Sequence, residues 1–191
     1  MRMLSCLNFL LFLPLTMIRD AFLKMLIPCT IVIIIIAIKA LRWRIQFNSI
    51  MKSVDNKQAK TDLLNCRHKY SIEQLKEIAR GANNGVDFTK YMRESFNPKQ
   101  MSEIRLGLEH EVDVNIYSNF IFGEHAMKQI RLGLEAGLDV KQYATSKYNS
   151  AQMEQIRLGM EQGLDISLYN SPDIPFVEME KIRKKLENAK L

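Results

Sequence analysis

Apolar residues fall into two regimes along this chain. From Leu4 to Leu41 they run almost unbroken, whereas from residue 71 onward they return every three or four positions. Leu4–Ile18 is an uncharged run of 15 residues and Met25–Ile38 one of 14, with Ile33 to Ile36 at its centre. Neither alone reaches the roughly 20 residues that cross hydrocarbon. The second extends: Ala21–Leu41 is 21 residues, with Lys24 and Lys39 near its ends and Trp43 just beyond. Long lysine stems carry their ammonium groups toward water, and tryptophan favours the interface. This predicts a transmembrane helix at 21–41. The first run, 4–18, is either a short first span, giving a helical hairpin, or a signal-peptide core. No small-residue cleavage site precedes Arg19, since Leu15, Thr16, Met17 and Ile18 stand there, which fits the hairpin better.

The second regime is a tandem repeat. Ile104-Arg105-Leu106-Gly107-Leu108-Glu109 returns as Ile130 to Glu135; Met160 replaces a leucine in Ile156 to Glu161. A worn copy, Ile182 to Glu187, and a fainter one, Ile78 to Asn83, flank them, so the starts 78, 104, 130, 156 and 182 are all 26 apart. A fixed period of this length signifies stacked supersecondary units. The expected fold class is therefore all-α: an N-terminal transmembrane helix or helical hairpin, then an α-helical solenoid of five 26-residue copies, the last partial.

Each copy explains itself column by column. Ser71, Asn97, Gly123, Asn149 and Pro175 occupy one position; Ser and Asn are good helix N-caps, Ser71 with Gln74 makes a capping box, and Pro98 suits the first helical turn. Leu75/Met101/Met127/Met153/Met179, Ile78/Ile104/Ile130/Ile156/Ile182 and Ala82/Leu108/Leu134/Met160/Leu186 follow at spacings of three and four, one helix face. Gly85, Gly137 and Gly163 stand where the helix must end in a left-handed residue, with Glu111 a poorer occupant. Asp87, Asp113, Asp139 and Asp165 come next as caps of a second helix of one to two turns. Phe88/Val114/Val140/Ile166 and Tyr91/Tyr117/Tyr143/Tyr169 lie on its inner side. Leu106, Leu132 and Leu158 face away from the methionines, as helices packed on both sides require. Arg80 and Lys184 replace them in the outermost copies, giving a solenoid its polar ends. Gly81, Gly107, Gly133 and Gly159 sit mid-helix, where close helix–helix approach is the usual reason, and Lys185 stands in the last copy.

Charge divides as sharply as hydropathy. Residues 1–70 carry 11 Lys/Arg against 3 Asp/Glu, and residues 71–191 carry 16 against 18, so the net +6 belongs to the region beside the apolar segments. Cations there suit anionic headgroups. The repeat domain lacks the basic face of a nucleic-acid binder, so a nucleic-acid partner is not expected. Lys39, Arg42, Arg44 and Lys52 follow the span, which places its C-terminal side in the cytoplasm. The domains read as a membrane anchor at 1–44, a polar linker at 45–70, either a helical extension or a tether, and a repeat domain at 71–191 (copies 71–96, 97–122, 123–148, 149–174 and 175–191). Met51 is an alternative start that would leave a soluble repeat protein. Cys6, Cys29 and Cys66 build no disulfide framework or zinc spacing.

No catalytic, cofactor-binding or metal site emerges. His68, His110 and His125 share no ligand spacing, and no phosphate-loop, nucleophile-elbow or zincin motif is present. The candidate partner-binding residues are Arg105, Arg131, Arg157 and Arg183, each followed four positions later by Glu109, Glu135, Glu161 or Glu187. They are either a ladder of guanidinium groups for an acidic ligand or exposed i,i+4 pairs; the equal number of both signs favours pairs.

The pattern Met-x-x-Ile-Arg-Leu-Gly-Leu-Glu-x-Gly-Leu-Asp-Val-x-x-Tyr, clearest from Met127 to Tyr143, resembles a short tandem repeat of proteins from Gram-positive anaerobes, often appended to mobile-element proteins. The resemblance covers about 71–187 and implies no activity, ligand or catalytic residue. An N-terminal anchor here takes the place of an enzymatic or DNA-processing domain. The expected protein is a membrane-anchored interaction module of the bacterial cell membrane with its repeats in the cytoplasm. Its partners are the lipid bilayer and another protein, with no cofactor, small-molecule substrate or enzymatic activity. The alternative is a mobile-element-associated regulator touching nucleic acid through the arginine column.

Overall fold

The computed structural model describes residues 15–190. Among these residues the chain is all-helical, with seven α-helices and no strand: α1 (Leu15–Ser53), α2 (Lys57–Cys66), α3 (Ile72–Asn83), α4 (Pro98–Glu109), α5 (Glu124–Glu135), α6 (Ser150–Glu161) and α7 (Phe176–Lys190). A single turn of three-ten helix follows each of α3 to α6, at Phe88–Lys90, Val114–Ile116, Val140–Gln142 and Ile166–Leu168. Two compact units divide the chain, Met1–Ser49 and Ile50–Leu191.

In the first unit α1 displays what a water-soluble helix hides. Leu26, Ile27, Ile31 to Ile36, Ile38 and Leu41 are all exposed, Ile33 at 64%. With a mean hydropathy of 2.1 over its most apolar window and none of that window buried, α1 is long and apolar enough to cross a membrane. Pro28 lies inside it without ending it. The candidate first span at 4–18 lies largely outside the described residues. Its last residues, from Leu15, already belong to α1, so the chain does not turn back between 18 and 21. Arg19-Asp20 contains neither glycine nor proline and has nothing with which to reverse the chain.

The second unit is a row of helices in chain order, whose main contacts run from α2 to α3 and then between each helix and the next through α7. The 45–70 stretch is helical over most of its length, so its tether reading is corrected. Asn56 caps α2 by accepting from the Ala59 N–H, and Ala59, Leu63 and Cys66 form a narrow buried stripe. Three buried residues among ten, with Leu64 exposed beside them, are too few to stand out as a period. Within the second unit Asn83 of α3 donates to the Ser53 carbonyl at 2.7 Å and accepts from the Asp55 N–H.

Each of α3 to α6 is 12 residues long because both its ends are specified. Ser71, Asn97 and Asn149 make reciprocal capping boxes with Gln74, Gln100 and Gln152, whereas Gly123 offers α5 no side-chain cap. At the other end Gly85, Gly137 and Gly163 adopt φ of 76°, 70° and 63°. In α5 the Gly137 N–H reaches the Leu134 carbonyl and the Leu138 N–H that of Gly133, a Schellman closure. Glu111 is forced into the same conformation at φ 59°. The five-residue Leu75/Met101/Met127/Met153/Met179 column is fully buried, as is Ile78/Ile104/Ile130/Ile156, and both form the core. Leu106, Leu132 and Leu158 are half-buried, while Arg80 in the same column is exposed.

Candidate functional site

The second element of each copy is shorter than its spacing suggests: one three-ten turn, which the tyrosine terminates. Asp87, Asp113 and Asp165 cap it by accepting from the N–H two residues on, and they also take a side-chain bond from Thr89, Asn115 and Ser167. Asp139 makes no such cap. Its neighbour two residues on is Lys141, which has no short donor.

The tyrosines explain the mid-helix glycines. Tyr91, Tyr117, Tyr143 and Tyr169 are fully buried, and each hydroxyl donates to a carbonyl of its own copy's helix: Glu77 at 3.0 Å, Glu103 at 3.1 Å, Gln129 at 3.3 Å and Gln155 at 3.5 Å. That hydroxyl rests where a side chain would begin. A Cβ at Gly81, Gly107, Gly133 or Gly159 would stand 1.7–1.9 Å from it. The close approach expected between neighbouring helices is therefore an approach between a helix and its own copy's tyrosine. Burial also pushes all four phenols above their ordinary range.

The four candidate arginines lie inside the row. Arg105, Arg131, Arg157 and Arg183 are each buried at 7–9% exposure. Each bonds the i+4 glutamate through one terminal nitrogen, as the sequence suggests. Their Nε atoms reach back 28 residues to the preceding helix: to Glu77 at 3.0 Å, Glu103 at 2.8 Å, Gln129 at 2.9 Å and Gln155 at 3.0 Å. The exposed i,i+4 pair is thereby corrected to a buried three-membered joint between consecutive copies. Burial by itself would lower the Arg105 and Arg131 pKa, but their hydrogen bonds to two glutamates hold them above the usual value. Glu77 also pairs with Arg80.

A further donor from the preceding copy closes most joints. Asn84 donates to Glu109 at 2.7 Å, the His110 ring meets Glu135 at 2.6 Å, and Gln162 donates to Glu187 at 2.8 Å. Ala136 stands in that column at the third joint and has nothing to donate. Burial would raise the Glu109 and Glu135 carboxyls, yet these bonds and their arginines hold both below the ordinary carboxylate range. Among the described residues no buried side-chain polar atom lacks a partner.

Three columns contribute contacts that the sequence reading leaves out. Glu77/Glu103/Gln129/Gln155 supplies the inter-copy acceptors. Gln74, Gln100 and Gln152 donate across the loop to carbonyls of Phe96, Phe122 and Ile174. Phe96 and Phe122, buried just before the caps, complete the set. The same 26-residue register exposes all three, although Ala126 interrupts the glutamine column.

Comparison with family profiles, with curated proteins and with solved structures finds no match. Among the described residues, no three His, Cys, Asp or Glu side chains gather closely enough to hold a metal ion.

Proposed function

We propose that the chain is a membrane-anchored interaction module. In this reading α1 inserts into the bacterial cell membrane, and the repeats form a helical solenoid in the cytoplasm that binds another protein. The observation that carries it is the bare run Ile31–Ile36 of α1, set against a second unit whose buried polar groups all find partners. An exposed apolar surface of that extent signifies a membrane or a partner. The cations after the span give the orientation, and helical repeat arrays commonly present extended surfaces to protein ligands. The alternative, nucleic-acid contact through the arginine column, would have to open the buried joints before a phosphate could reach a guanidinium.

Proximity labelling from the C-terminus of the full-length chain tests the reading. The expected result is a reproducible cytoplasmic protein set that is lost when the repeat surface is altered. Retarded nucleic acid at physiological salt, abolished by changing Arg105, Arg131 and Arg157 together to alanine, would overturn it, since phosphate-dominated binding weakens steeply with salt.

A further inference from the structure

We propose that Lys39, Arg42 and Arg44, with Trp43 between the arginines, form a binding site on α1 for anionic phospholipid headgroups. This rests on the reading of α1 as a membrane span and adds which lipid it takes. All three cations are exposed, and among the described residues none has an ion-pair partner. Asp20 is the only acidic residue in the first 49. At about 1.5 Å of rise per residue it lies roughly 28 Å along the helix from Lys39, close to the thickness of a hydrocarbon core. Nothing in the first unit therefore neutralises the three charges on their own side of the apolar stretch.

The side chains are arranged for several headgroups rather than one. At about 100° per residue, Arg42 and Arg44 point some 60° one way and 140° the other from Lys39, an arc of roughly 200° around the helix. A guanidinium offers five donors in a planar fork that matches paired phosphate oxygens. The column arginines of the repeats spend those donors on glutamate and glutamine, and Arg42 and Arg44 leave them open. Trp43 is half-buried, its ring stacked on Phe47 with centroids 5.1 Å apart and planes 8° from parallel. Indole belongs at the glycerol level of a bilayer, which sets the flanking cations at phosphate depth.

Trp43 is the chain's only tryptophan and reports on its own surroundings. The full-length chain is reconstituted in phosphatidylcholine vesicles with a minor fraction of phosphatidylglycerol. Bromine is placed on the acyl chains of one lipid or, at the same mole fraction, of the other. The expected result is several-fold stronger quenching by the brominated phosphatidylglycerol, reduced by added salt. Arg42→Gln and Arg44→Gln should each lower that preference, by up to about fivefold, the weight of one interfacial cation. Lys39→Gln, one turn deeper, should lower it less. Equal quenching by the two lipids in the parent chain would overturn the headgroup site and leave the membrane span standing. No quenching by either would remove the span and the site together.

Discussion

Arg131 and Arg44 bring the same side chain into opposite surroundings. Arg131 is buried between α4 and α5, bonded to Glu103 on one side and Glu135 on the other. Arg44 is exposed, on a helix whose apolar face is exposed as well. The difference extends to every residue class. In the second unit methionine, isoleucine and tyrosine columns are buried and polar groups close on one another; in α1 Ile31 and Ile33 to Ile36 are exposed, and Lys39, Arg42 and Arg44 have no ion-pair partner among the described residues. On the proposed reading of α1 as a membrane span, the contrast between the units is one of solvent: polar groups close on one another in a unit that suits water, and apolar side chains face outward on a helix that suits hydrocarbon.

The sharpest way to break the comparison is to raise the pH. Tyr91, Tyr117, Tyr143 and Tyr169 hold their protons more tightly folded than unfolded, because burial disfavours phenolate. Their contribution is complete below the unfolded pKa near 10 and is lost as the pH rises above it. Absorbance titration should show these four ionising together with the loss of helix. Independent ionisation in a chain that stays helical would mean the tyrosines are not sealed. Glu109 and Glu135 act in the opposite direction: their lowered pKa gives stability that is present above the unfolded carboxylate range and fades as the pH falls through it.

Next come the joints. Arg131→Ala leaves two glutamates facing each other without their cation and should cost about 3 kcal/mol, at the lower end for a broken buried pair. Arg157→Ala should cost distinctly less, since its cross-joint partner is the neutral Gln129. Arg44→Ala should leave the unfolding midpoint unchanged. Chemical unfolding followed by circular dichroism ranks the three, and similar losses at Arg131 and Arg44 would erase the contrast.

A smaller effect, about 2 kcal/mol, is expected for Gly133→Ala, whose Cβ would overpack against the Tyr143 hydroxyl. Tyr143→Phe in the same chain should restore part of it, so the two changes will not add. Additive losses would mean that the glycine serves a neighbouring helix. Smallest, and opposite in sign, is Glu111→Gly, which relieves the left-handed φ of 59°. It should stabilise by about 1 kcal/mol, read as a higher melting temperature.

How much of this was legible beforehand depended on which residues carried the signal. The 26-residue period, the Ser71–Gln74 capping box and the glycine termini are local, and helix physics reads them directly. Glu111 stood out as the awkward occupant of a glycine position, and its φ agrees. The arginine column was visible but its surroundings were not, because an i,i+4 partner is four letters away and the Glu77 or Glu103 partner is 28. The mid-helix glycines do signal close approach, but the approaching group is a tyrosine ten residues on. Helix α2 was hidden because a stripe of Ala59, Leu63 and Cys66 is too thin to register as amphipathic.

Fractionation tests most directly the claim that the two units suit different solvents. The full-length chain should remain in the membrane pellet through carbonate extraction and be released by detergent, while residues 51–191 alone should stay in the supernatant. Unprocessed full-length chain recovered in the soluble fraction would contradict the account.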